Sequence, residues 1–331
     1  MLQHPLAHRV HWSHAFLHVS HLLLPGSDRD RSLASYPVWR GEAFDADSFS
    51  TGKAACRCPR GEKSTAAASK PAPATPAAPE KVKIYWTDEL MHKEVKYYNP
   101  EYAGDGQFQI ENGEPVAVVL ANTKVTNLKA LEGKKLMALD LSGTAVSDLS
   151  PLKGMPLVEL YLERTKVVDL YPLKGMPIKK LYLSGTPVRD IAPLQGMPLT
   201  DLNAIDTQIV DISPLAKSPI AMLWLTNCPV ESIAPLHSIP LVSVTLKGTK
   251  VRDLTPLSGT QLQRLHIAET PVEDLSPLKD IPLTRLVFTP ANIKQGLDVA
   301  KALPLAQIGT RFEEDGNDLL PPAQFWAGQG K

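Results

Sequence analysis

Cysteine is scarce in this chain, with three in 331 residues. Cys56 and Cys58 lie too close together to build a scaffold and Cys228 is far away, which excludes a disulfide-dense secreted fold. A surplus of one charge sign is also missing. Lys plus Arg and Asp plus Glu number 35 each, so no global field draws the molecule to nucleic acid or to an acidic membrane. No apolar run reaches the ~18 residues that a membrane span requires. Aromatic residues make up 6% of the chain. Proline is the opposite case: 30 residues, roughly 9% against an average near ~5%. With 43% apolar and 21% charged residues, the composition is that of a globular protein of about one to three folded units.

The prolines fall in register with a repeat. From Leu136 the unit LMALDLSGTAVSDLSPLKGMP is followed without a gap by LVELYLERTKVVDLYPLKGMP and IKKLYLSGTPVRDIAPLQGMP, and further 21-residue units begin at Leu199, Ile220, Leu241 and Leu262. A weaker copy starts at Pro115 and a decaying one at Leu283. Apolar residues occupy positions 1, 4, 6, 11, 14, 17 and 20, as in Leu157, Leu160, Leu162, Val167, Leu170, Leu173 and Met176. That spacing is no single helical face. The Leu-x-Leu segment alternates with period two and predicts a short strand, and the rest of the unit must turn back.

Position 16 is Pro in seven successive units, Pro151 to Pro277, often behind Ser150, Ser213, Thr255 or Ser276. A hydroxyl that caps a free amide, followed by Pro where no donor is needed, starts a short helical or 3₁₀ turn. Asp148, Asp169, Asp190, Asp211, Asp253 and Asp274 suit an Asx-type turn just before it. A second proline, such as Pro177, blocks helix continuation. One unit buries too little to offset its ordering entropy, so stability must come from stacking the units as a parallel ladder with caps at its ends.

LxxLxLxxTxVxDLSPLxGMP resembles a bacterial leucine-rich repeat of the short, internalin-like type. Thr123, Thr144, Thr165, Thr186, Thr207, Thr249 and Thr270 stand where many such repeats have Asn, with Cys228 as the exception. The resemblance implies an α/β solenoid: a parallel strand ladder with a 3₁₀ convex side and helix or hairpin caps. The flanks also resemble the segments that bracket repeat arrays at the C-terminal end of bacterial serine/threonine protein kinases.

The expected organisation is an unclassified, disordered leader over 1–63, or sequence outside the native product. A Pro/Ala linker follows over 64–82, an N-terminal cap over 83–114, repeats over 115–290 and a C-terminal cap over 291–331. In the first cap Thr87 starts a helix through about Lys96, and Asn112-Gly113 turns a hairpin between Gln107–Ile110 and Val116–Leu120. In the second, Asn292 to Ala302 reads as an amphipathic helix and Leu305 to Ile308 as a last strand.

Catalytic motifs are wanting. A kinase needs a Gly-rich loop, a pairing Lys, an HRD base and a DFG metal ligand; Asp28-Arg29-Asp30 lacks the histidine, and Ala78-Pro79-Glu80 sits in the linker. His4, His8, His11, His14, His18 and His21 are spaced to share one helical face and could hold Zn²⁺ or Ni²⁺, but a leader without a metal is the reading adopted. Cys56 and Cys58 read as incidental thiols, Cys228 as a small core residue and His237 as a solvated side chain. No cofactor and no metal site is assigned.

What remains is the strand face, expected on the inner side of a curved solenoid. Position 5 runs Val119, Asp140, Tyr161, Tyr182, Asn203, Trp224, Thr245, His266 and Val287. Three large aromatics in one column suit a binding hot spot, and they equally suit stacking between strands for stability. The unit from Ile220 departs from the consensus at Met222, Trp224, Asn227, Cys228 and Ser232 together, which favours a partner surface. The expectation is a non-catalytic module that binds a protein or peptide through Tyr161, Tyr182 and Trp224, with Glu159, Lys180, Asp201, Asn203, Met222 and His266 around them. The alternatives are a sensor or scaffold of a kinase-linked system without its kinase domain, and an exported surface adhesin. The compartment stays open, with the cytoplasm slightly favoured; Arg9 and the linker keep export open.

Overall fold

The computed structural model describes residues 84–313 and 316–328. The histidine stripe, Cys56 and Cys58, the kinase-motif fragments and the linker lie outside the described residues. Each repeat forms one strand of three residues: β3 (Ala138–Asp140), β4 (Glu159–Tyr161), β5 (Lys180–Tyr182), β6 (Asp201–Asn203), β7 (Met222–Trp224), β8 (Ser243–Thr245), β9 (Arg264–His266) and β10 (Arg285–Val287). A hairpin of β1 (Gln107–Glu111) and β2 (Glu114–Val119) opens the sheet, and β11 (Gln307–Gly309) ends it. The eleven strands run in sequence order, antiparallel only between β1 and β2, and the sheet is not closed.

Pairing keeps the sequence register: Leu139, Leu160, Leu181, Leu202 and Leu223 each face their equivalent one unit away. The ladder continues past the strand ends, where Leu141 N donates to Tyr161 O at 2.9 Å and Gly143 N to Glu163 O at 2.7 Å. The seven apolar positions of the unit from Leu157 are all at most 4% exposed. Each threonine of the Asn-equivalent position turns its hydroxyl onto a carbonyl three residues back, as Thr165 Oγ1 to Leu162 O at 2.7 Å. Cys228 is buried, and its Sγ bonds instead to Ala204 O of the preceding coil at 2.9 Å.

The return turns are 3₁₀ helices with Pro in their first positions, such as Ser150–Leu152. Their caps differ from the sequence expectation. The hydroxyls of Ser150, Ser213, Thr255 and Ser276 do not cap them. The preceding aspartate does, accepting from the first amide of the turn: Asp148 Oδ1 from Ser150 N and Asp211 Oδ1 from Ser213 N, both at 2.8 Å. An Asx side chain reaches two residues on, where a residue inside the turn cannot reach its own amide.

At the N-terminal end α1 (Asp88–Tyr98) is capped by Thr87, whose Oγ1 accepts from Leu90 N at 3.2 Å. It runs two residues beyond Lys96, because Asn99 supplies the stop. Asn99 Nδ2 donates to Val95 O at 3.1 Å and its Oδ1 accepts from Thr126 N and Asn127 N at 2.9 Å, tying the helix to the first coil. At the other end the expected helix from Asn292 is shorter: a 3₁₀ turn over Pro290–Asn292 precedes α2 (Leu297–Ala302). Lys294 N and Gln295 N still donate to Glu273 O, continuing the coil. Gly296 then turns with φ +75° where a Cβ would meet Ser276 N at 2.4 Å, so only glycine fits and the helix starts after it. The last strand of the eleven-stranded sheet is Gln307–Gly309 rather than Leu305–Ile308. Ile308 exchanges both backbone hydrogen bonds with Leu320 at 2.9 Å, covering the sheet edge. In α3 (Pro322–Gly328), Phe325 lies 6.1 Å from Phe288 and closes the core. Among the described residues no helix is long and apolar enough to cross a membrane.

Candidate functional site on the strand face

Strand alternation sends positions 4 and 6 of each unit inward and leaves positions 3, 5 and 7 on the outer side of the sheet. Tyr161, Tyr182 and Trp224 occupy that side, half-buried. Tyr161 and Tyr182 are neighbours in register, with ring centroids 4.9 Å apart. Tyr182 and Trp224 are two strands apart, yet their centroids approach to 6.5 Å. Two ladder steps amount to ~9.6 Å, so the rings lean toward each other across the Asn203 row. Asn203 allows this by staying low: its Oδ1 accepts from Ser184 Oγ at 2.7 Å. The result is a continuous aromatic row over four strands.

A buried carboxylate anchors one end. Glu159 is expected among the contacts around the rings, but it is 3% exposed. Its Oε2 accepts from Tyr161 Oη at 2.9 Å and its Oε1 pairs with Lys180 Nζ at 2.9 Å. A buried charge persists only when paired and hydrogen-bonded, and this one holds the Tyr161 ring in place. Burial, with Glu159 beside it, pushes the Tyr161 phenol far above its ordinary range. Burial, helped by Asp201, Glu163 and Glu159, pushes Tyr182 up to about 12. Both phenols are therefore neutral at physiological pH.

Lys180, Asp201, Asn203 and Met222 are half-buried around the row. Asp201 Oδ2 accepts from Thr200 Oγ1 at 2.6 Å, and Met222 Sδ accepts from Arg264 Nη2 at 3.5 Å. His266 was expected among the surrounding contacts, but it is 7% exposed. Both misplacements have one cause: exposure of a sheet residue depends on side chains of the adjacent strands, which a single unit does not reveal. His237, at the end of its 3₁₀ turn, is exposed as expected.

Position 7, on the same outer face, carries Glu163 and Ser184 along the row, two residues that the sequence reading does not name although the same alternation points to them. Beside Tyr161, the small side chains of Ala117 and Ala138 leave an apolar dimple of about 10 Å³ with Val119 and Asp140. A larger depression, about 520 Å³, opens by the turns of Ala192 and Ser213. It carries no aromatic ring, and its ionisable residues Arg189, Asp190 and Asp211 are exposed. The strand face is thus the better-organised surface.

No family model and no curated protein sequence matches the chain. Solved structures do. An internalin (InlF) from Listeria monocytogenes is 22% identical over 68% of this chain and 70% of its own, with a TM-score of 0.55. An internalin C2 from the same organism is 25% identical over 62% of this chain and 95% of its own, with a TM-score of 0.51. The fold is that of an internalin-like leucine-rich repeat solenoid.

Proposed function

We propose that this internalin-like leucine-rich repeat protein is a non-catalytic binding module that takes a protein or peptide partner on its strand face, with Tyr161, Tyr182 and Trp224 as anchors. The observation that carries the reading is the aromatic row itself: three half-buried rings in one column of an open sheet, each approaching the next. Such rings offer much contact area for few frozen rotors, and Tyr and Trp are enriched where interface energy concentrates. Neutral phenols can be covered without desolvating a charge. Lys180, Asp201, Asn203 and Met222 form the border of the patch, while the buried Glu159 holds the Tyr161 end of the row through the phenol.

Ring stacking also stabilises the ladder, and one experiment separates the two roles. Peptides are selected on the full chain from a random displayed library, and their affinities are measured for Tyr182→Ala, Trp224→Ala and, as a control away from the row, Tyr171→Ala. Loss of about 1 kcal/mol or more at Tyr182 and Trp224, roughly fivefold or greater in Kd, with none at Tyr171, is the expected result. Binders indifferent to both substitutions, alongside lowered melting temperatures, would reduce the row to a stabilising device. The kinase-linked and exported readings concern what surrounds this module, and both would use the same face.

A further inference from the structure

The strand face changes sign along its length. Over β3 to β6 its outward positions hold the carboxylates Asp140, Glu159, Glu163 and Asp201 against one ammonium, Lys180, which is held by Glu159 at 2.9 Å. The turn residues that follow, Arg164 and Asp206, cancel. Over β8 to β10 the same positions hold Lys247, Arg264 and Arg285 and no carboxylate. Lys247 reaches Glu269 at 3.5 Å, so the positive end rests on the two guanidiniums. With 35 charges of each sign in the chain, the separation arises from placement and not from composition.

Arg264 is the group that points to a ligand. Among the described residues its buried Nε has no hydrogen-bond partner, and its Nη2 donates to the Met222 thioether at 3.5 Å. A thioether is a weak acceptor, whereas the guanidinium fork matches a carboxylate. The half-buried guanidinium is therefore under-satisfied, and a carboxylate that reached its terminal nitrogens would supply the charge-assisted hydrogen bond that the thioether does not. Arg285 is differently placed: Gln307 Oε1 accepts from its Nε at 2.9 Å and its Nη2 at 2.6 Å, and its Cζ stands 4.8 Å from the Phe312 ring centroid. It contributes field, and Arg264 contributes the docking fork.

We infer that the partner is a polypeptide segment charged in two blocks and laid across the strands: a cationic block over β3 and β4, a neutral middle on the aromatic row, and a carboxylate block at Arg264. This deepens the proposed function and rests on the strand face being the binding surface. From β4 to β9 is five ladder steps, ~24 Å, which an extended chain of ~3.3 Å per residue covers in about seven residues. The spacing is therefore part of the inference. The order of blocks along the array is specified; the chain direction of the segment is not.

The test is fluorescence polarisation on the full chain with labelled synthetic peptides. One has two lysines, seven uncharged residues including Tyr and Leu, and two glutamates. A second has the same composition with the charges alternated, and a third keeps the blocks but shortens the spacer to three residues. The first is expected to bind at least tenfold tighter than the other two. Arg264→Gln should reduce that advantage to less than about threefold, with the melting temperature held. Should that variant not fold, Glu163→Lys tests the opposite end and is expected to lower block-peptide affinity by a similar factor. Absent binding, or equal affinity for blocked and alternated charges, overturns the inference. Tyr182→Ala distinguishes the two failures: if it weakens every peptide alike while charge order is irrelevant, only the block assignment falls; if it weakens none, the strand-face reading falls as well.

Discussion

Glu159 organises the strand face residue by residue. Its two oxygens take one neutral donor and one cation, Tyr161 Oη and Lys180 Nζ, so the charge is tolerated in a site with almost no water contact. The same burial makes the neighbouring phenols reluctant acids, and this has a consequence for stability. Tyr182 keeps its proton to about 12 in the folded chain, against 10.0 for the free phenol. Between those values the folded state binds more protons than the unfolded one, so its stability falls as pH rises from about 10 to about 12 and is unaffected below. Denaturant unfolding at a series of alkaline pH values should show that fall in the parent chain and a shallower one in Tyr182→Phe. Phenolate absorbance should show the missing group titrating near the top of the range. A difference titrating near 10 would contradict the assigned environment.

Among the elements, the turns carry the clearest energetic differences. Six aspartates cap the 3₁₀ turns at 2.7–2.8 Å, and their hydrogen bonds hold the Asp148, Asp211 and Asp253 carboxyls below their ordinary range. In the unit from Ile220 the acceptor is Ser232 Oγ, at 3.3 Å from Ala234 N. Ser232→Asp should therefore raise unfolding stability by about 0.5–1 kcal/mol, measured by urea denaturation; no gain would mean that the caps are not limiting. Strands, prolines and aspartates were legible in the sequence because each follows from a local rule repeated every 21 residues. The turn conformations were less so. Arg164 at φ 56° and Glu269 at φ 58° occupy the left-handed position that Gly143, Gly185 and Gly248 fill in other units. Register with neighbouring coils imposes it there, not the residue type. The late start of α2 was hidden for a similar reason: Gly296 is required by the approach of Ser276, which belongs to the preceding coil.

For the whole molecule, in-register stacking converts a one-unit motif into long columns, and columns are what a partner would meet. The aromatic column was readable from period two. The burial of Glu159 and His266 was not, because it appears only when rows from different units lie side by side. The central claim is that a partner covers the row of rings on the strand face. Hydroxyl-radical footprinting with mass spectrometry, on the full chain free and bound to a selected peptide, tests it most directly. Tyr161, Tyr182 and Trp224 should lose labelling in the complex, while Tyr171 and Tyr97, which are 63% and 77% exposed, keep theirs. Protection at Tyr171 or Tyr97 with Tyr182 and Trp224 unchanged would contradict the account.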